Sequence, residues 1–315
     1  MLKFILPVLA VIGLFAVPAS GAAPPLPVVV SFSILGDMVK NIGGDLVAVK
    51  TLVGTDGDAH GFQPASSDGK AVAAAGLVFV NGLGFDDWMR RLVDATDYKG
   101  RVAVASQGVQ SRDAFAHDPG AHEPDAHDDT RHGGRIADPH AWQDLSNGVI
   151  YAENIAAALI EALPARTQEI TLRKQQYQAA IRATDDAVRH EIDQVPAAQR
   201  TIITSHDAFG YFGAAYGVRF LAPYGTGADS DPSAASIAGL IDQIKAEGVR
   251  EIFVENMTSP RAVKQLAEDA GAVIGGTLYS DALSGPGGGA PDYLAMFKNN
   301  VARMKAAMLK NRPTR

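Results

Sequence analysis

Eight short β-branched runs, four on either side of one long helical pattern, constrain this 315-residue chain more than any other feature. The first four are PVVVSFS (27–33), VAVKTLV (47–53), GLVFVNG (76–82) and RVAVAS (101–106). The second four are RTIITSH (200–206), VRFLAPY (218–224), REIFVEN (250–256) and AVIGGTLYS (272–280). Glycine or polar residues bound each run, and helical patterns separate several of them, which predicts α/β units with largely parallel sheets. The halves also match in detail. VVVSFSILGDM aligns with TIITSHDAFGYF, where Ser31 and Ser205 are each followed, five residues on, by Gly36 and Gly210. LVGTDGD answers PYGTGAD at the Gly-Thr pair, and KAVAAAGLVFVNG answers KAEGVREIFVEN. Three matches in one order predict a duplicated lobe. Two facing α/β lobes make a cleft at the carboxyl ends of their strands, where ligands sit in open sheets.

Between the halves, Ile170, Tyr177, Ile181, Val188 and Ile192 step by seven, four, seven and four, a narrow apolar stripe on one helix. Pro164 and Pro196 bracket it. About 29 residues at 1.5 Å each span roughly 43 Å, so a single rigid helix can join the lobes and limit their opening. The expected organisation is a signal peptide at 1–22, an N-terminal lobe at 23–163, a linking helix at 164–195 and a C-terminal lobe at 196–315. The signal reading rests on Lys3, the apolar run Phe4–Val17 and the small residues after it, with cleavage after Ala19 or Ala22. Pro7 and Pro18 interrupt that run, and it is short for a membrane-spanning helix. The chain has no cysteine, so a disulfide, a thiolate ligand and a cysteine-borne lipid are all excluded, and a free periplasmic protein is expected. A net charge of −7 without a basic patch excludes nucleic acid as a partner.

Four of the eight histidines crowd into AHDPGAHEPDAHDDTRHGG (116–134): His117, His122, His127 and His132. A spacing of five does not gather imidazoles on one helical face, and the intervening Gly and Pro predict a loop. Ordering such a loop around an ion costs conformational entropy, so it suits a weak auxiliary metal site. His190, flanked by Arg189 and Glu191, fits a solvated helix position. The remaining three stand in unlike contexts: His60 in GTDGDAHGFQPASSD, His140 in ADPHAWQDLSNG and His206 in TIITSHDAFGYF. Asp281 follows the last run in LYSDALS. On the two-lobe reading all four line one cleft. Three neutral imidazoles and a carboxylate suit a tetrahedral divalent ion, Zn²⁺ first. Asp58, Asp138, Asp144 and Asp207 are near enough in sequence to orient the imidazole N–H groups.

DAHGFQPASSD, NGLGFDDWMRRL, DPHAWQD, SHDAFGYFGAAYG and LYSDALS, in this order, resemble the zinc/manganese solute-binding proteins of ABC importers, the cluster A-I family, over about residues 27–310. The resemblance implies a periplasmic receptor that captures an ion between two lobes and delivers it to an ATPase-driven membrane permease. His60, His140, His206 and Asp281 match that family's four ligand positions. Histidine at the third of these goes mostly with zinc, while Asp281 keeps manganese, or a mixed preference, open. The resemblance also puts the histidine run where zinc members carry a His-rich loop that gathers zinc, accepts it from a partner or senses excess. Two points depart from the pattern: many zinc members have a disulfide in the second lobe, which this chain lacks, and many have a longer, denser His-rich loop. The tail segment SGPGGGAPDYLAMFKNN resembles a subset that works with a separate periplasmic zinc chaperone. The expectation is a monomeric, high-affinity zinc receptor without catalysis. The rivals are a periplasmic zinc buffer or chaperone acting without a transporter, and a zinc hydrolase. The last is opposed by the lack of HExxH and of a Gly-x-Ser-x-Gly elbow.

Overall fold

LPVVVSF forms strand β1 (Leu26–Phe32), and its last five residues are buried, as an apolar run covered on both faces requires. The computed structural model to which it belongs describes residues 24–113, 137–223, 225 and 234–311. The expected signal segment 1–22 and the loop histidines His117, His122, His127 and His132 lie outside the described residues. Beside β1 stand β2 (Val47–Val53), β3 (Leu77–Val80) and β4 (Arg101–Val104), all parallel, in the order β2-β1-β3-β4. A second parallel sheet contains β5 (Thr201–Ile203), β6 (Arg219–Leu221), β7 (Glu251–Glu255) and β8 (Val273–Leu278), in the order β6-β5-β7-β8. The two orders are the same once the strands are counted within each half, so the lobes are topological duplicates. Each of the eight expected runs coincides with one strand, with β1 starting one residue ahead of its run. Several runs overshoot their strands at the carboxyl end, where Asn81, His206 and Ser280 leave the sheets for the cleft.

The helices are α1 (Ser33–Gly43), α2 (Ser66–Ala73), α3 (Asp87–Ala95), α4 (Leu145–Ala162), α5 (Thr167–Asp193), α6 (Gly210–Tyr216), α7 (Ala234–Glu247), α8 (Pro260–Ala270) and α9 (Tyr293–Met308). The linking helix α5 has 27 residues, about 40 Å of helix. It is shorter than the proline-to-proline interval because Pro164–Arg166 turns as a separate 3₁₀ segment. All five stripe residues of α5 are buried, against α4 and α1 on one side and α9 on the other. His190 is exposed, as a solvated helix position should be. One apolar cluster runs from Val28 through Trp142 and Ile181 to Phe297 and Met308, so it crosses from one lobe into the other. A smaller cluster, with Ile203, Leu240, Ile244, Ile252 and Leu266, fills the side of the second sheet covered by α7 and α8. Without a disulfide, the second lobe is closed by this cluster and by Asn311, whose Nδ2 donates to Gln199 O (3.1 Å) and Thr201 O (2.8 Å). Among the described residues no helix is long and apolar enough to cross a membrane.

Candidate metal centre

Each of the four expected residues sits where a strand or turn delivers it into the cleft. His60 lies in the loop between β2 and α2, where Asp58 Oδ1 accepts its backbone N–H (2.8 Å). Trp88 Nε1 of α3 donates to Ala59 O (2.9 Å), and the Phe85 ring just before α3 stands 4.8 Å from the His60 ring, so both brace this loop. His140 precedes the 3₁₀ turn Ala141–Gln143. Asp138 Oδ1 accepts both its backbone N–H (3.0 Å) and its ring Nδ1 (2.8 Å), which leaves Nε2 free to face the cleft as a lone pair. Asn81 Nδ2 holds Pro139 O (3.0 Å), while Tyr151 OH donates to Asn81 Oδ1 (2.6 Å) and the buried Asp86 accepts Asn81 N–H. The segment NGLGFDDW therefore supports both first-lobe histidines.

His206 follows β5. One oxygen of buried Glu255, at the end of β7, accepts the Ser205 and His206 backbone N–H groups (2.9 and 3.0 Å). The other lies 2.8 Å from His206 Nδ1. Asp281 follows β8 and is fully buried, as are His140 and His206; only His60 reaches solvent, its side chain 10% exposed. The donor atoms of the four residues all lie within 4.8 Å of one another. His60 Nε2 is 3.3 Å from His140 Nε2 and 3.2 Å from Asp281 Oδ2; His206 Nε2 is 3.0 Å from the same oxygen, and His140 Nε2 is 3.6 Å from Asp281 Oδ1. Ligands about 2.0–2.1 Å from a tetrahedral ion stand about 3.3–3.4 Å apart, so these separations leave room for one small divalent cation at the centre.

The electrostatics are those of a site waiting for positive charge. Burial would pull the His206 imidazole down, but the Glu255 and Asp281 carboxylates outweigh it and hold its pKa well above the ordinary value. Burial would push Asp281 up, yet His140 and His206 keep it well below the usual carboxylate range. Of the four acids expected to orient imidazoles, Asp138 does so. Asp58 secures the His60 backbone instead, and Asp144 caps α4 by accepting Ser146 N–H (2.8 Å). Asp207 donates its backbone N–H to Gly225 O (3.3 Å). Glu255 was missed by sequence reasoning; its only local signal is a carboxylate closing an otherwise apolar run. Gly210 matters for a different reason: a Cβ there would lie 2.5 Å from Asp138 Oδ2, so a glycine is what lets the second lobe approach the acid that aims His140.

The family model described as the periplasmic zinc-uptake complex component A matches residues 28–307. The iron-binding protein YfeA of Yersinia pestis is 30% identical, over 90% of this chain and 86% of that protein. The manganese-binding lipoprotein MntA of Halalkalibacterium halodurans is also 30% identical, over 88% of this chain and 86% of its own. In structure, the chain is similar to the periplasmic zinc-binding protein TroA of Treponema pallidum, with a TM-score of 0.80 and 27% identity over 90% of this chain and 99% of that one.

Proposed function

The chain belongs to the family of the periplasmic zinc-uptake complex component A, and from that premise we propose that it is an exported receptor that binds Zn²⁺ with high affinity and hands it to an ABC importer. The observation that carries this reading is the convergence of His60, His140, His206 and Asp281 from four separate loops onto one ion-sized point. The ion is cargo, and these four residues are its ligands. Three imidazoles favour zinc over the harder, more weakly bound manganese. The second reading, a manganese or mixed receptor, draws on the Asp281 carboxylate and on relatives named for manganese and iron. Catalysis has no part in the proposal, because four protein ligands fill a tetrahedral sphere and leave no position for an activated water.

In the same reading the chain divides into lobes 23–163 and 196–315 with the linking helix 164–195. The receptor works as a monomer, free in the periplasm, since no cysteine is present to carry a lipid. Its partner is a membrane permease driven by an ATPase, and a periplasmic zinc chaperone is a candidate donor. His117, His122, His127 and His132 serve as a weak auxiliary site that gathers zinc. The test is a chelator-competition titration of the metal-free protein with Zn²⁺ and Mn²⁺, beside His206→Ala. One tight zinc per chain, weakened in the variant, with any further zinc bound loosely, supports the receptor. Unchanged binding in the variant refutes the ligand set, and a clear preference for Mn²⁺ refutes the choice of metal.

A further inference from the structure

Asp281 follows a strand of the second sheet, yet the backbone around it is fastened mainly to the first lobe. The carbonyl of Ser280 accepts two side-chain donors from the turn after His140: Trp142 Nε1 (2.8 Å) and Gln143 Nε2 (2.7 Å). Leu283 N–H donates to Ser33 Oγ at the start of α1 (2.9 Å), and Leu283 O accepts Asp56 N–H from the His60 loop (2.8 Å). Four hydrogen bonds from the first lobe thus bracket Asp281 on both sides, against one longer bond from the second, Asn256 Nδ2 to Ala282 O (3.3 Å). The Ser280 and Leu283 groups are buried, where an unpaired polar group is costly. On the other side of Ser280 the attachment changes. Tyr279 N–H donates to Asn300 Oδ1 (3.0 Å) and Tyr279 O accepts Asn300 Nδ2 (2.7 Å), which fixes that residue to α9. His206 is held differently again, by Glu255 of β7 inside its own lobe.

We propose that the metal site divides three plus one: Asp281 travels with His60 and His140 as part of the first lobe, and His206 alone is brought in by the second lobe. This inference rests on the metal-receptor reading and deepens it. Lobe separation then removes one ligand, not two. The ion is left on a preassembled two-histidine, one-carboxylate face, from which a membrane partner or water can take it. Trp142 and Gln143 act here as positioning residues, through the Ser280 carbonyl.

The absence of native cysteine allows paired spin labels without background. Asp94→Cys on α3 and Lys264→Cys on α8 are exposed and report the two lobes. Gly287→Cys reports the Asp281 segment: its Cβ meets nothing within 4 Å, and its loop closes on Ser284 through the Ala290 carbonyl (2.8 Å). Distances for the three pairs are measured by double electron–electron resonance with zinc and with chelator, after zinc stoichiometry is taken on the same labelled proteins. Removing zinc should shift the 94–264 and 264–287 distances together and leave 94–287 unchanged. A shift in 94–287 on zinc removal, or no shift in any pair, overturns the three-plus-one division while leaving the receptor intact. Labelled proteins that bind no zinc overturn the receptor reading, and this inference with it.

Discussion

Replacing Glu255 by glutamine isolates what its charge does for His206. The amide oxygen can still accept the Ser205 and His206 backbone N–H groups. Its NH₂, turned toward Nδ1, would make that nitrogen an acceptor and put the ring proton on Nε2, against the metal. Partners of this kind are worth about 10–100-fold in metal affinity. Glu255→Gln should weaken zinc by that factor with far-UV circular dichroism unchanged; full affinity would mean that Glu255 serves the fold alone. The raised pKa of His206 gives a second expectation. The proton that the two carboxylates favour on this imidazole must leave for the nitrogen to bind metal. Zinc binding should therefore release protons from this group, read as a buffer-dependent enthalpy in calorimetry. Affinity should keep rising with pH beyond the ordinary histidine range. The metal-free fold runs the other way: a raised folded pKa gives stability that is complete below the unfolded value and is lost as pH climbs through the folded one. The three histidines and Asp281 were legible because each ends a recognisable strand or stands in a Gly- or Pro-bounded turn. Glu255 was not, because its role depends on β5 and β7 lying side by side, which nothing within REIFVEN states.

Asp37, on α1, takes part in the contact between α1 and the first turn of α9. Its carboxylate accepts Tyr293 N–H (3.1 Å), and burial, with Asp292 nearby, raises its pKa to about 6. The folded state therefore holds a proton that the unfolded chain has released between the unperturbed value and about 6, and stability from this group declines as pH rises through that window. Above it, the carboxylate is a standing penalty. Asn keeps the acceptor for Tyr293 and removes the charge. Asp37→Asn should stabilise the protein at pH 7.5 by about 1–2 kcal/mol, less than the whole shift because solvent reaches the group in part. The gain should shrink toward pH 4.5, where the wild-type group is itself protonated. Denaturant melts at the two pH values measure this, and an equal gain at both would remove the charge from the explanation. Among the elements, α5 was the most legible, since a seven-four apolar stripe has only one periodic solution. The contact of α9 with α1 was not, for it pairs residues 256 apart through a backbone N–H that every sequence carries.

At the scale of the whole molecule, the duplicated order of strands was written in the sequence, but the sharing of one core between the lobes was not. Periodicity shows which face of each element is apolar and not which neighbour covers it. The main apolar cluster includes Val28 and Phe79 of the first sheet, Ile181 of α5, and Phe212 and Phe297 of the second half. The Tyr293 hydroxyl joins the same seam by donating to Trp142 O (2.5 Å), where Gly148 leaves it room. Lobes that share a core should not unfold separately, and an ion bound between them should stabilise both. Metal-free protein is thus expected to melt in one calorimetric transition whose measured and van't Hoff enthalpies agree. Free zinc at about 100 times its dissociation constant should add about 2.7 kcal/mol and move that single transition upward by several degrees. His206→Ala should lose most of the zinc-dependent shift while keeping one transition, since it removes the ligand supplied by the second lobe and leaves the common core in place. Two transitions, with only one responding to zinc, would mean that the lobes are joined by the helix alone and that the ion is held within one of them.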